Sequence, residues 1–181
     1  MHLNPYGEDP VRLAMDLAAT PPRTHAELTA RCRAAGVVAP RDAQPADLAD
    51  IEVFLREWLA VVDATEPAER VRLLNDLLAD SSAYPRVTDH AGTGWHIHYR
   101  DDDLPMAKVL RALISVGTAL HLTGRGMDRL HRCALAECGR AFGDFSRGGR
   151  QRYCSPACAN RDAVRRHRAR TARASAASAR G

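Results

Sequence analysis

Four of the chain's five cysteines fall within 26 positions, as Cys133-x4-Cys138-x15-Cys154-x3-Cys158, and this pattern restricts the C-terminal part more than any other feature does. Within each pair a short loop lets two thiolates converge on one ion. The spacer is long enough for a hairpin that brings the second pair round to complete a tetrahedron at about 2.3 Å per bond. Zinc suits four sulfurs because it is borderline-soft, redox-inert and indifferent to d-electron geometry; iron is the runner-up. Around the cysteines the only other core formers are Leu135, Phe142, Phe145 and Tyr153, and a domain of roughly 40 residues seldom folds without metal or disulfide. Ser155 and Pro156 read as the N-cap and first residue of a helix. Cys158 would then lie in its first turn, where free N–H groups and the helix dipole favour a thiolate. One structural Zn²⁺ on Cys133, Cys138, Cys154 and Cys158 is the expectation. Cys32, between Arg31 and Arg33, reads as a buried structural thiol.

The formal charge of +4 hides an asymmetry: 14 basic against 19 acidic residues up to Leu130, and 12 against 3 beyond it. Four thiolates around one Zn²⁺ take the C-terminal segment only from +9 to +7, so it stays strongly basic and calls for a polyanionic partner, with nucleic acid the commonest. Apolar runs are interrupted well short of the roughly 20 residues a membrane span needs. Residues 1–10 carry Glu8, Asp9 and two prolines where a secretory signal would be basic and then apolar. A cytoplasmic protein with no membrane partner is expected, and such a chain keeps its thiols reduced.

Ahead of the cysteines the pattern is helical. Val11, Leu13, Ala14, Leu17 and Ala18 predict a helix over 10–20, and Thr24 with Glu27 a capping box opening a second that Gly36 closes. Leu48, Ile51, Leu55, Trp58, Leu59 and Val62 share one face of a helix over 45–64, with Trp58 a core anchor; Val71, Leu74 and Leu78 form the stripe of another over 67–79. The period changes to two at Trp95, Ile97 and Tyr99 against His96, His98 and Arg100, which with 85–88 across 89–94 predicts a hairpin. After an acidic cap, Asp101 to Asp103, a helix over 104–122 turns Val109, Leu110, Leu113, Val116 and Leu120 inward. The fold class is mainly α: a helical N-terminal domain with one β-hairpin, then a small treble-clef-like ββα zinc finger. The boundaries are 1–128, 129–170 and a disordered basic tail over 171–181.

Cys133, Cys138, the run Phe142-Gly143-Asp144-Phe145-Ser146-Arg147-Gly148-Gly149-Arg150, Tyr153-Cys154-Ser155 and Cys158-Ala159-Asn160-Arg161 resemble the bacterial CGNR-type zinc finger. In that family the finger follows a helical ABATE domain, whose opening segment Ala14 to Thr20 resembles. The resemblance implies a stress-induced transcription regulator. The family's namesake Gly is Ala159 here. Inside a helix Ala is the better residue, by up to about 1 kcal/mol; if the Gly served close approach of a phosphate, binding would weaken.

Arg147, Arg150 and Arg152 precede Cys154 on the expected hairpin arm, while Arg161, Arg165 and Arg168 share one stripe of the following helix. These are the candidate nucleic-acid contacts, with DNA the expected partner through counterion release and groove contact. Asn160 either reads a base edge or ties the loop by hydrogen bonds. A single finger buries little surface, which suggests a homodimer, and the helical domain is a candidate sensor of a small-molecule effector. The alternative is a protein- or RNA-docking zinc module on a small-molecule-binding domain. His96 and His98, two apart on one strand face, are candidate ligand-binding residues. No Ser/His/Asp order, phosphate loop or paired carboxylates are present, and a fully thiolate zinc leaves no position for water, so catalysis is not expected.

Overall fold

The computed structural model describes residues 7–89 and 94–178. The expected hairpin turn at 90–93, the last three residues of the expected tail and the first six of the segment read for a secretory signal lie outside them. The described elements run α1(Glu8–Ala19), α2(His25–Ala34), α3(Pro45–Asp63), α4(Pro67–Ser81), β1(Arg86–Thr88), β2(His96–His98), α5(Met106–Arg125), β3(Leu130–Arg132), β4(Ala141–Gly143) and α6(Pro156–Ser178). The architecture is mainly helical with two small hairpins, as the patterning predicts.

α5 is the axis of the helical body. It buries residues on most of its circumference, from Met106 through Val109, Leu110, Ile114 and Val116 to Leu122, because α1, α3 and α4 all pack against it. α3 contributes Ile51, Phe54, Leu55, Trp58, Val61 and Val62; the Trp58 indole N–H donates to Thr118 Oγ1 on α5 at 3.0 Å. Trp58 is the expected anchor, fully buried with its polar edge satisfied. α1 crosses α5 so closely that a Cβ on Gly117 would lie 2.5 Å from the Pro10 side chain. On α4 the buried stripe is Leu74 and Leu77 rather than Val71, Leu74 and Leu78: Val71 is exposed, because Arg70 is the residue this helix turns inward. The Arg70 guanidinium donates to the carbonyls of Val61, Val62 and Ala64 at the end of α3, and to Met127 and Leu130 beyond α5. It thereby satisfies C-terminal carbonyls that α3 cannot satisfy itself.

Two cap expectations change. Thr24 accepts from the Glu27 N–H at 3.1 Å, but Glu27 reaches back to the Arg23 N–H, one residue before the cap. The Asp101 to Asp103 run does not cap α5. Asp103 sits at φ 58, Pro105 is the N-cap, and the acidic group at this helix start is the buried Asp47 of α3. Its carboxylate accepts from the Ala107 N–H at 2.9 Å and from the Gln44 N–H at 2.7 Å, so one side chain caps two helices.

β1 and β2 pair antiparallel, Val87 opposite Ile97 and Thr88 opposite His96. The alternation is present, with Val87, Trp95 and Ile97 on the exposed face and the histidines on the half-buried one. β3 and β4 pair with Leu130 opposite Gly143. This second hairpin encloses the first cysteine pair, rather than lying in the spacer between the pairs. The tail also differs from expectation: residues 171–178 continue α6 to Ser178, in keeping with a run of Ala and Arg, both strong helix formers, and no breaker within it.

Candidate metal centre and its basic surround

The two cysteine pairs are placed by different local devices. After β3, the Cys133 N–H donates to the Arg140 carbonyl at 2.8 Å, and the Cys138 and Gly139 N–H groups turn back onto the Leu135 carbonyl at 2.8 and 3.4 Å. Gly139, at φ 57, takes the left-handed conformation that this knuckle needs. The second pair flanks the start of α6. Ser155 acts as the expected N-cap, its Oγ accepting the Cys158 N–H at 3.3 Å, and the Cys154 N–H points at Cys133 Sγ at 3.5 Å.

All four sulfurs lie within 4.8 Å of one another, with Cys138 to Cys154 at 3.6 Å and Cys154 to Cys158 at 3.7 Å. A tetrahedron with Zn–S bonds of about 2.3 Å has edges of about 3.8 Å, so the sulfurs stand where one structural zinc requires them. Burial among the other sulfurs pushes the Cys154 thiol up to about 12, while the Ser155 hydroxyl holds Cys158 below the ordinary thiol range. A bound Zn²⁺ supplies the charge that lets all four become thiolates. Cys32 is apart from this group, fully buried in the helical core, where desolvation pushes its thiol up to about 12.

Around the sulfurs lies a shell of polar contacts that the sequence reading did not assign. Asp162, on the first turns of α6, is buried and accepts from the Tyr153 hydroxyl at 2.7 Å; Arg165 and Arg166 pair with it at 2.6 and 2.9 Å. These partners, the tyrosine first, hold its carboxyl below the usual range. Asp144 is fully buried and accepts from the Ser146 and Gln151 N–H groups, both at 2.8 Å. Burial alone would raise this carboxyl; the hydrogen bonds from Ser146 and Gln151 and the nearby Arg129 charge outweigh it, and its pKa is lowered. Arg129 donates to the Ser146 carbonyl at 2.7 Å and lies directly under Gly149, where a Cβ would come within 3.0 Å of the guanidinium. The glycine-rich loop is thus folded over one ion pair. An Asp two residues before a Ser is the local signal for such a turn.

Arg147, Arg150 and Arg152 sit on this loop, all exposed, and not on a hairpin arm, because β4 ends at Gly143. Asn160, Arg161 and Arg168 are exposed on α6. Arg165 is exposed but engaged, reaching Glu137 at 3.8 Å as well as Asp162. Loop and helix meet at Tyr153, whose hydroxyl feels the charges of both Arg152 and Arg166. His96 and His98 lie on the other hairpin, in the helical body. His121 is fully buried with its ring 4.9 Å from that of Phe145.

The finger has no sharp border with the helical body. Leu130 belongs to the main core, Phe145 packs against it, and Met15 of α1 packs into the small cluster of Cys133, Leu135 and Phe142. The Gly143 N–H faces Met15 Sδ at 2.7 Å, the Arg12 guanidinium lies 3.9 Å over the Phe145 ring, and Arg132 grips Asp63 of α3 through two hydrogen bonds at 2.6 and 2.8 Å. The shortage of core formers near the cysteines is met by α1, a long-range contact that cysteine spacing cannot reveal.

Residues 129–171 match the family described as CGNR zinc finger. No curated protein matches the chain. Among the described residues, no helix is long and apolar enough to cross a membrane.

Proposed function

We propose that this chain is a DNA-binding transcription regulator of the cytoplasm, non-catalytic, in which the zinc finger and α6 contact DNA and the helical part, ABATE-like in its opening segment, senses or dimerises. The observation that carries this reading is the combination of a metal-fixed scaffold with exposed arginines on two sides of it, Arg147, Arg150 and Arg152 on the loop and Arg161 and Arg168 on the helix. Arginines held in register can exchange condensed counterions for phosphate contacts while a helix enters a groove. An effector would fit the groove of about 540 Å³ between the end of α1 and α3, lined by Pro21, Pro22, Leu48, Leu55 and Leu59. A stress-induced role would enter through such a ligand.

The reading is tested by fluorescence anisotropy with duplex DNA across a salt series. Affinity should fall with a log–log slope of about −0.9 for each phosphate contacted, and changing Arg161 and Arg168 together to Ala should reduce the slope by about 2. Removal of zinc by a strong chelator should abolish binding. Salt-independent binding, or a double variant indistinguishable from the parent, would instead favour the finger as a protein-docking module; a preference for single-stranded RNA would favour RNA.

A further inference from the structure

The alternation in the first hairpin is inverted. Thr88, His96 and His98 turn to its half-buried side, while the apolar cross-strand pair Val87 and Ile97 turns outward together with Trp95. An antiparallel sheet with one solvated face ordinarily shows the opposite, apolar side chains inward and polar ones out. Trp95 keeps 78% of its surface exposed, Val87 69% and Ile97 49%, and Tyr84, just ahead of β1, keeps 91%. A whole aromatic side chain offers about 150–250 Å², so Trp95 with the two aliphatic residues leaves on the order of 400 Å² of apolar surface in water, and Tyr84 adds to it at the start of the hairpin. Single exposed hydrophobics are ordinary; a contiguous patch of this size is as large as a soluble monomer usually shows and is often functional. Charge then selects the class of partner. The exposed charges of the hairpin and its ends are Asp89, Asp101 and Asp102 against Arg86, which lies 3.9 and 3.5 Å from the last two carboxylates. An acidic surround repels nucleic-acid phosphates and anionic lipid alike, so the occupant is a protein surface.

We propose that the outer face of this hairpin is the surface through which two copies of the chain associate. A standard interface takes about 800 Å² from each partner, and a little over half of that is non-polar, which is the apolar area that Val87, Trp95, Ile97 and Tyr84 supply. Tyr and Trp are the residue types that dominate interface centres. A two-fold contact sets each residue of a face against residues of the same set, and a rim carrying both signs, Arg86 beside its carboxylates, meets that requirement with itself. The contact also serves the hairpin. A two-stranded sheet is marginal alone, and the helical body covers only its histidine side. The inference rests on the dimerising role proposed above for the helical part, and is independent of the finger's contact with DNA.

The test uses the zinc-loaded full chain without DNA. Sedimentation velocity should show twice the chain mass at about 10 µM and above, since interfaces of this size bind in the µM to pM range. Acrylamide quenching reports the face itself: Trp58 is buried in either state, so the quenchable tryptophan is Trp95, and its protection should grow with the dimer fraction. Trp95→Ser should weaken association at least about thirtyfold, the scale of an interface hot spot, while keeping its zinc. Ile97→Thr retains strand propensity and should weaken it too, so the outcome stands even if Trp95→Ser fails to fold. A parent that stays monomeric overturns the proposal and hands the face to a different protein. A dimer that neither variant weakens, or one in which Trp95 is as quenchable as in the monomer, overturns it as well. Salt-dependent DNA binding by a monomeric parent would sink this inference and leave the DNA-binding reading standing; a dimer that binds no DNA would do the reverse.

Discussion

Asp144 and Asp162 are the acidic residues that fold an arginine-rich segment around its metal, and neither could be recognised from charge alone. In a stretch with 12 basic and 3 acidic residues, an isolated carboxylate reads as charge balance; its value lies in being buried against specific donors. Asp144→Ala would strand the Ser146 and Gln151 N–H groups and leave Arg129 without its counter-charge, costing about 1–3 kcal/mol. Chemical denaturation of the zinc-loaded protein measures this. The pH dependence has a definite sign. Because the folded carboxyl lies below its ordinary value of 3.8, its stabilisation is fully present above that value and is lost as pH falls through the lower, folded one. The stability difference between the parent and Asp144→Asn should therefore be constant near neutrality and shrink at the acid end. A difference that grew on acidification would refute the assignment. The cysteine ligands, by contrast, were legible at once, since spacing, Ser155 and Pro156 are all local signals. Replacing Cys138 or Cys154 by Ser should remove stoichiometric zinc, read by elemental analysis.

Among the elements, the long helices were legible because each carries a periodic apolar stripe, and their ends fall close to those expected. What sequence periodicity did not locate is explained by length and by partners outside the element. β3 and β4, Leu130-His131-Arg132 and Ala141-Phe142-Gly143, carry no run of alternation like the one around Ile97, and cysteine spacing alone points to a hairpin in the spacer instead of around the first cysteine pair. α4 departs from its expected stripe because Arg70 turns inward to serve carbonyls of α3, an event at the end of another helix. The crossing of α1 and α5 depends on Gly117 in the same non-local way. Gly117→Leu would drive a side chain into Pro10, and overpacking of this kind costs about 1–3 kcal/mol. Thermal unfolding should register it as a lowered midpoint with zinc still bound, because the residue lies in the helical body and the sulfurs do not touch it. Gly117→Ala should be milder than Gly117→Leu; equal effects would mean that contact with Pro10 is not what the glycine provides.

The whole molecule behaves as one cooperative body if its shared contacts act together. A finger joined by a linker would fold on its metal and leave its neighbour alone. Here Met15 of α1 packs against the cysteine cluster, Leu130 lies in the main core, and Arg70 and the Arg132–Asp63 pair tie β3 to α3 and α4. Metal affinity in a site that is absent from the unfolded chain is folding free energy, and such contacts extend its reach to the helices. The chain supplies its own reporter, since Trp58 is buried in the helical core and Trp95 is exposed on the first hairpin. In a Trp95→Phe background, fluorescence follows Trp58 alone. Chelation of the zinc should lower the Trp58 unfolding midpoint, and Met15→Ala should reduce that shift, because it severs the contact through which α1 senses the finger. A Trp58 transition that is the same with and without zinc would mean two independently folding units, and the contacts between them would then be neighbours without energetic consequence.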